Sequence, residues 1–98
     1  MNDIYIARRK KKIKESADYI AERVELMKKQ TSQGQICMHV FPYSKRLFEE
    51  CGKYVQMSFK EYALEVSKAL FTRHSIPSEV ISDFNCSTIV ISYVGTRH

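Results

Sequence analysis

Residues 79–94 read EVISDFNCSTIVISYV, and this stretch decides the fold class. Two runs rich in β-branched residues, Glu79–Ser82 and Ser87–Val94, flank the turn Asp83-Phe84-Asn85-Cys86, which predicts two strands. In the second run Ile89, Ile91 and Tyr93 alternate with Thr88, Val90, Ser92 and Val94, so the two sets lie on opposite faces of a sheet.

Upstream, Ser58-Phe59-Lys60-Glu61 fits the S-x-x-E capping box, with Met57 and Tyr62 at the flanking staple positions. The helix it starts runs to about His74, with Phe59, Tyr62, Ala63, Val66, Ala69 and Leu70 inward. Arg73 and His74 suit its negative C-terminal end, and Pro77 prevents continuation. Before it, Ser44 can cap a short helix over Lys45–Cys51, with Leu47, Phe48 and Cys51 as its apolar face, ended by Gly52. Tyr54–Met57 reads as a brief extended piece. Gln35–Tyr43 reads as a third strand, with Ile36, Met38 and Val40 on one face and Cys37, His39, Phe41 and Tyr43 on the other. Both faces are largely apolar, which predicts a central strand covered on both sides, and Pro42 marks its end.

Residues 4–30 form one long helix by pattern. Ile6, Ile13, Ala17, Ile20, Val24 and Met27 fall on one face, and Glu25 and Lys29 are placed for an i,i+4 pair. Lys10 interrupts the apolar seam, so residues 13–28 form a packed half and the residues before them a basic, more exposed half. Gly34 is available for a left-handed residue after the helix ends. Gly95–His98 reads as a tail. The order α-β-α-α-β-β predicts one α+β domain over residues 1–98, with a small, mostly antiparallel three-stranded sheet covered by helices.

The 98 residues suffice for one domain and not two, and 44% hydrophobic residues with 28% charged argue against disorder. No apolar run is long enough to span a bilayer, and no signal core follows the basic N-terminus, so a cytoplasmic location is expected and no membrane partner. Three cysteines, Cys37, Cys51 and Cys86, without close pairing, suit reduced thiols rather than a disulfide framework.

The net charge of +5 is unevenly placed. Residues 1–14 hold Arg8, Arg9, Lys10, Lys11, Lys12 and Lys14 against Asp3 alone, while the other ten Lys and Arg are matched by ten Asp and Glu. The whole excess sits in one segment, which suits a polyanionic surface or ligand. Lysine dominates, which favours point-charge contacts with phosphates over bidentate base readout. Tyr5 and Tyr19 share that helix and could add base stacking, while Tyr43, Tyr54, Tyr62 and Tyr93 read as core or interface residues. Neither the aromatic RNP motif nor a G-x-x-G loop is present.

Catalytic and metal signals are thin. Cys37, His39, His74 and Cys86 lack zinc-ligand spacing, and nothing local activates a thiol beside His39 or His74. Glu49-Glu50 and Glu61/Glu65 read as solvated helix faces. There is no P-loop, G-x-G-x-x-G or G-x-S-x-G. We therefore expect no enzyme, cofactor or metal. The seam Ile13, Ala17, Ile20, Val24 and Met27 covers the sheet or pairs with another copy, so a homo-oligomer is expected.

The leading charged helix, the strand Gln35–Tyr43, the capped helix and the closing run Asp83-Phe84-Asn85-Cys86-Ser87-Thr88-Ile89-Val90-Ile91-Ser92-Tyr93 together resemble small phage-encoded α/β accessory proteins. Those close with a Thr-x-Ile strand ending in Ser and an aromatic. Where they have Gly-Tyr-x-Val after the middle helix, this chain has Gly52-Lys53-Tyr54-Val55, one residue longer. They commonly end in Trp, where this chain has Tyr93, and the helix Ser58–His74 is an addition. The resemblance implies a non-enzymatic viral protein, often oligomeric, in host cytoplasm, acting on host machinery or host defence; some small phage proteins of this general size sequester nucleotide signals. Residues and resemblance together give a leading expectation of binding to nucleic acid, or else to a phosphorylated nucleotide, through Arg8–Lys14. The alternative is a protein–protein inhibitor or assembly module that uses the apolar helix face.

Overall fold

The computed structural model of the chain describes residues 3–46, 48 and 57–98. Its elements run α1 (Asp3–Gln30), β1 (Ile36–Ser44), α2 (Phe59–His74), β2 (Glu79–Ser82) and β3 (Cys86–Val94). Lys45, Arg46 and Phe48 are helical directly after β1. The rest of the short helix expected over Lys45–Cys51, Gly52 and most of the extended piece Tyr54–Met57 lie outside the described residues.

The fold is α+β, with a three-stranded antiparallel sheet in the order β1-β3-β2. The hairpin expected at residues 79–94 forms. Asp83 accepts from the backbone N–H groups of Asn85 and Cys86, both at 2.8 Å, the side-chain turn that suits Asp at this position. Ile89 and Ile91 are buried on the face covered by the helices, and Val80 joins them from β2.

The middle strand is β3, not β1. Among the described residues β1 has one neighbour; Cys37, Phe41 and Tyr43 on one side are part-buried, while Ile36, Met38 and Val40 on the other are exposed. A strand apolar on both faces therefore has cover on one. Pro42 does not end it: it pairs with Thr88 inside the strand, which an edge strand tolerates because its outer N–H positions need no ladder partner.

The core joins Ala17, Ile20, Ala21 and Val24 of α1 to Tyr62, Ala63, Val66 and Leu70 of α2, over Ile89 and Ile91. Small residues at Ala17, Ala21 and Ala63 let the two helices approach. The seam of α1 is thus spent inside the chain. Ala17, Ile20 and Val24 are buried and Ile13 and Met27 half-buried against the same cluster. Ser87, buried on the inward face of β3, satisfies its hydroxyl on Ser82 Oγ at 2.8 Å, as a buried polar group must.

Both ends of α2 are built as its sequence implies. Ser58 Oγ accepts from Glu61 N at 3.1 Å, the N-cap bond of the capping box. At the other end Ser75 takes a left-handed conformation (φ 56°), and its N–H and that of Ile76 close onto Phe71 O and Leu70 O. On α1, Glu25 pairs with Lys28 at 3.3 Å rather than with Lys29. Between the helices, Asp18 accepts from Arg73 at 3.3 Å and meets His74 Nε2 at 2.7 Å.

Residues 95–98 are not a free tail. Gly95 N donates to Gln35 O and Arg97 N to Thr31 O, both at 2.9 Å, while Gln33 N donates back to Arg97 O at 2.9 Å. A parallel bridge links Ser32 to Arg97. The end of α1 is thereby sewn to the end of β3. Gly34 adopts the left-handed backbone (φ 82°) in the connection, as expected for glycine there.

Candidate nucleic-acid interface

The basic block occupies the second to fourth turns of α1, where the helix passes the end of the core. Successive residues turn by about 100° in an α-helix, so the core-facing stripe through Ile6, Arg9, Ile13 and Ser16 fixes the direction of the others. Lys11 points directly away from it, Arg8 and Lys14 lie about 60° to either side of Lys11, and Lys12 and Lys10 stand further round on the same two flanks. All five are exposed, and Arg9, on the stripe, is half-buried. Five exposed cations thus wrap about 9 Å of helix axis, at about 1.5 Å per residue. Lys12 pairs with Glu15 across the surface at 3.8 Å, a contact that contributes little in water. Among the described residues, Arg8, Lys10, Lys11 and Lys14 meet no carboxylate. Among the described residues, the charge of these four side chains is therefore not cancelled by an ion pair.

Where the basic stretch meets the body of the protein, a groove of about 410 Å³ opens between α1 and β1. Lys12, Glu15 and Tyr19 line one wall, and Phe41, Pro42 and Tyr43 the other. Lys12 and Tyr19 follow Arg8 along one flank of the helix, so the cations lead into an aromatic cleft. Tyr19 is exposed at its rim. Beneath, the Tyr62 hydroxyl donates to Lys12 O at 3.0 Å and meets Ser16 Oγ, which fixes the helix where the basic stretch begins. The rings of Tyr43 and Tyr62 meet edge to face at 5.5 Å. Burial, reinforced by Tyr62, pushes the Tyr43 phenol up to about 12, against the pull of a hydrogen bond to Ser16. Burial also raises Tyr62. Both phenols stay protonated at neutral pH, leaving the floor of the groove uncharged. A cleft lined by the rings of Tyr19, Phe41 and Tyr43, with Lys12 and its ion-pair partner Glu15 on one wall, offers faces on which a base can stack beside cations that can meet phosphates.

Of the tyrosines singled out in the sequence, Tyr19 is thus an exposed ring beside the block and Tyr43 and Tyr62 lie beneath it, while Tyr54 and the side chain of Tyr5 lie outside what the structure describes. Sequence reasoning missed the groove because its walls, residues 12–19 and 41–43, lie far apart in the chain and face each other only in the folded protein. The thin metal signal does not converge: Cys37 and His39 share the inward face of β1, Cys86 lies on the outward face of β3 beside Ser44, and His74 is turned to Asp18. No group of three or more potential metal ligands occurs among the described residues, and no helix among them is long and apolar enough to cross a membrane. Compared with protein-family models, curated proteins and solved structures, the chain matches none.

Proposed function

We propose that this protein is a non-enzymatic binding module for a phosphate-bearing anion, nucleic acid first and a phosphorylated nucleotide second, engaged by Arg8, Arg9, Lys10, Lys11, Lys12 and Lys14. One observation carries the reading: the chain's whole charge excess sits on an exposed stretch of α1 where Arg8, Lys10, Lys11 and Lys14 have no carboxylate partner among the described residues. Such a surface attracts polyanions by releasing their counterions. The groove beside it adds a place for a base, which favours single-stranded over duplex partners. The phage-type setting, acting on host machinery or defence in host cytoplasm, belongs to the same proposal and is supported by the closing run Asp83–Tyr93. The alternative, a protein–protein inhibitor or assembly module using the seam of α1, is favoured less because Ala17, Ile20 and Val24 of that seam pack into the core.

The test is a titration of labelled single strands, duplex and a free nucleotide at low and moderate salt. Three to five phosphate contacts give a slope of log affinity against log salt of about −2 to −4.5, or roughly 20- to 500-fold weaker binding at fourfold higher salt. Replacing the six cations by Gln should abolish both the binding and its salt slope. Binding that survives the replacement with its slope unchanged refutes the proposal.

A further inference from the structure

The register of the sheet puts Ile36, Met38 and Val40 of β1, Val90 and Val94 of β3, and Ile81 of β2 on the face opposite the helices. Ile36 is 77% exposed, Met38 67%, Ile81 61%, and Val40 and Val94 50% each. The remaining outward positions of β1 and β3 are Pro42, Ser44, Cys86, Thr88 and Ser92, and Glu79 at the start of β2 is the one charged residue among the outward positions of the described strands. Both helices pack on the other side, where the core lies. A solvent-facing sheet surface ordinarily alternates to polar side chains, and a contiguous apolar patch of this extent marks an interface.

We infer that this face is the contact surface for a second copy of the chain, joined sheet to sheet about a two-fold axis. Charge argues for that occupant. The protein carries +5, yet no Lys or Arg stands on the outward face of any strand. Two copies can therefore meet here without bringing cations together or desolvating them, while nucleic acid finds nothing on this face to neutralise it. Shape agrees, since two identically twisted sheets pack face to face with their strands about 30° apart. An isologous contact then sets the same apolar patch of each copy against that of the other, residue i meeting j and j meeting i.

The area sets the strength. Two nine-residue strands and one of four residues give a flat footprint of about 350 Å² per copy from ordinary strand rise and spacing. Doubled, and with the relief of the side chains added, a pair buries on the order of 1,000 Å², the low end for a specific interface. The dimer is therefore concentration-dependent, and its two basic helices lie outside the contact. The inference is independent of the anion-binding reading.

Sedimentation equilibrium of the full chain over a wide concentration range tests it. The mass should rise from 11.5 kDa toward twice that value, with little dependence on salt. Met38→Asp puts an unpaired carboxylate in the middle of the contact and should weaken the dimer at least about tenfold. Its far-UV circular dichroism should stay that of the wild type, because Met38 is outside the core. Val40→Lys reports on the same face should Met38→Asp fail to fold. A wild type that stays monomeric at every concentration overturns the inference. So does a dimer that both substitutions leave intact, which would place the contact on a strand edge or another surface.

Discussion

Gly95→Ala should destabilise the protein although residue 95 is three residues from the end of the chain. A Cβ built on Gly95 would stand 2.3 Å from Ser32 O, 2.5 Å from Thr31 O and 2.7 Å from Thr31 C, against 3.4 Å for ordinary contact. All three are backbone atoms at the end of α1, so no side chain can swing aside. Relief requires an opening of about 1 Å. The bonds across this junction, Gly95 N to Gln35 O, Arg97 N to Thr31 O and Thr96 N to Lys28 O at 2.9 Å and Gly34 N to Gly95 O at 3.1 Å, would then exceed hydrogen-bonding distance. Losing two to four such bonds at about 1 kcal/mol each, less about 0.5 kcal/mol gained by restricting the unfolded chain, gives a net loss of about 2–3 kcal/mol. For a domain of this size that lowers Tm by roughly 10–20 °C. Gly34→Ala is the control: open space surrounds that position, so only its left-handed backbone (φ 82°) is penalised, at about 1–2 kcal/mol. Thermal melts followed by circular dichroism, with urea titrations to extract the free energies, read both. A Gly95→Ala protein that melts with the wild type would show that residues 95–97 do not dock on the end of α1.

Two further substitutions probe the core and the helix pair. Val24 is 1% exposed between α1, α2 and the sheet, so Val24→Asp buries a carboxylate with no partner. It should abolish the cooperative melt; a folded but monomeric Val24→Asp protein would instead mean that the α1 seam faces a second copy. Asp18 is held below its ordinary pKa of 3.8, chiefly by its hydrogen bond to His74; desolvation opposes this as the next largest effect, and Arg73 lowers it further through a hydrogen bond and its charge. Its contribution to stability is therefore complete above pH 3.8 and is lost as the pH falls through the lower folded-state value. Asp18→Asn should flatten the acid limb of the stability profile below about pH 4, and an unchanged limb would show that the contact with His74 and Arg73 carries no linkage.

Much of this protein is local in origin. The periodicity of residues 13–27 marked the buried stripe of α1, the capping box at Ser58 and the block at Pro77 bounded α2, and the alternation from Thr88 to Val94 assigned the faces of β3. Each follows from steric and hydrogen-bonding rules that act within a few residues. The charge excess in residues 1–14 was also plain in the sequence, because charge is a property of composition. Tertiary structure alone decided the rest. Strand order made β3 central and left β1 at the edge, although β1 is apolar on both sides: periodicity tells which faces are apolar, not which of them receives a cover. The folded chain set residues 12–19 and 41–43 on either side of the aromatic groove beside Lys12, and its closure tied Gly95–Arg97 to Thr31–Gln35. Those features join residues far apart in the chain, and such partners are chosen by the geometry of the whole fold, which no local pattern encodes.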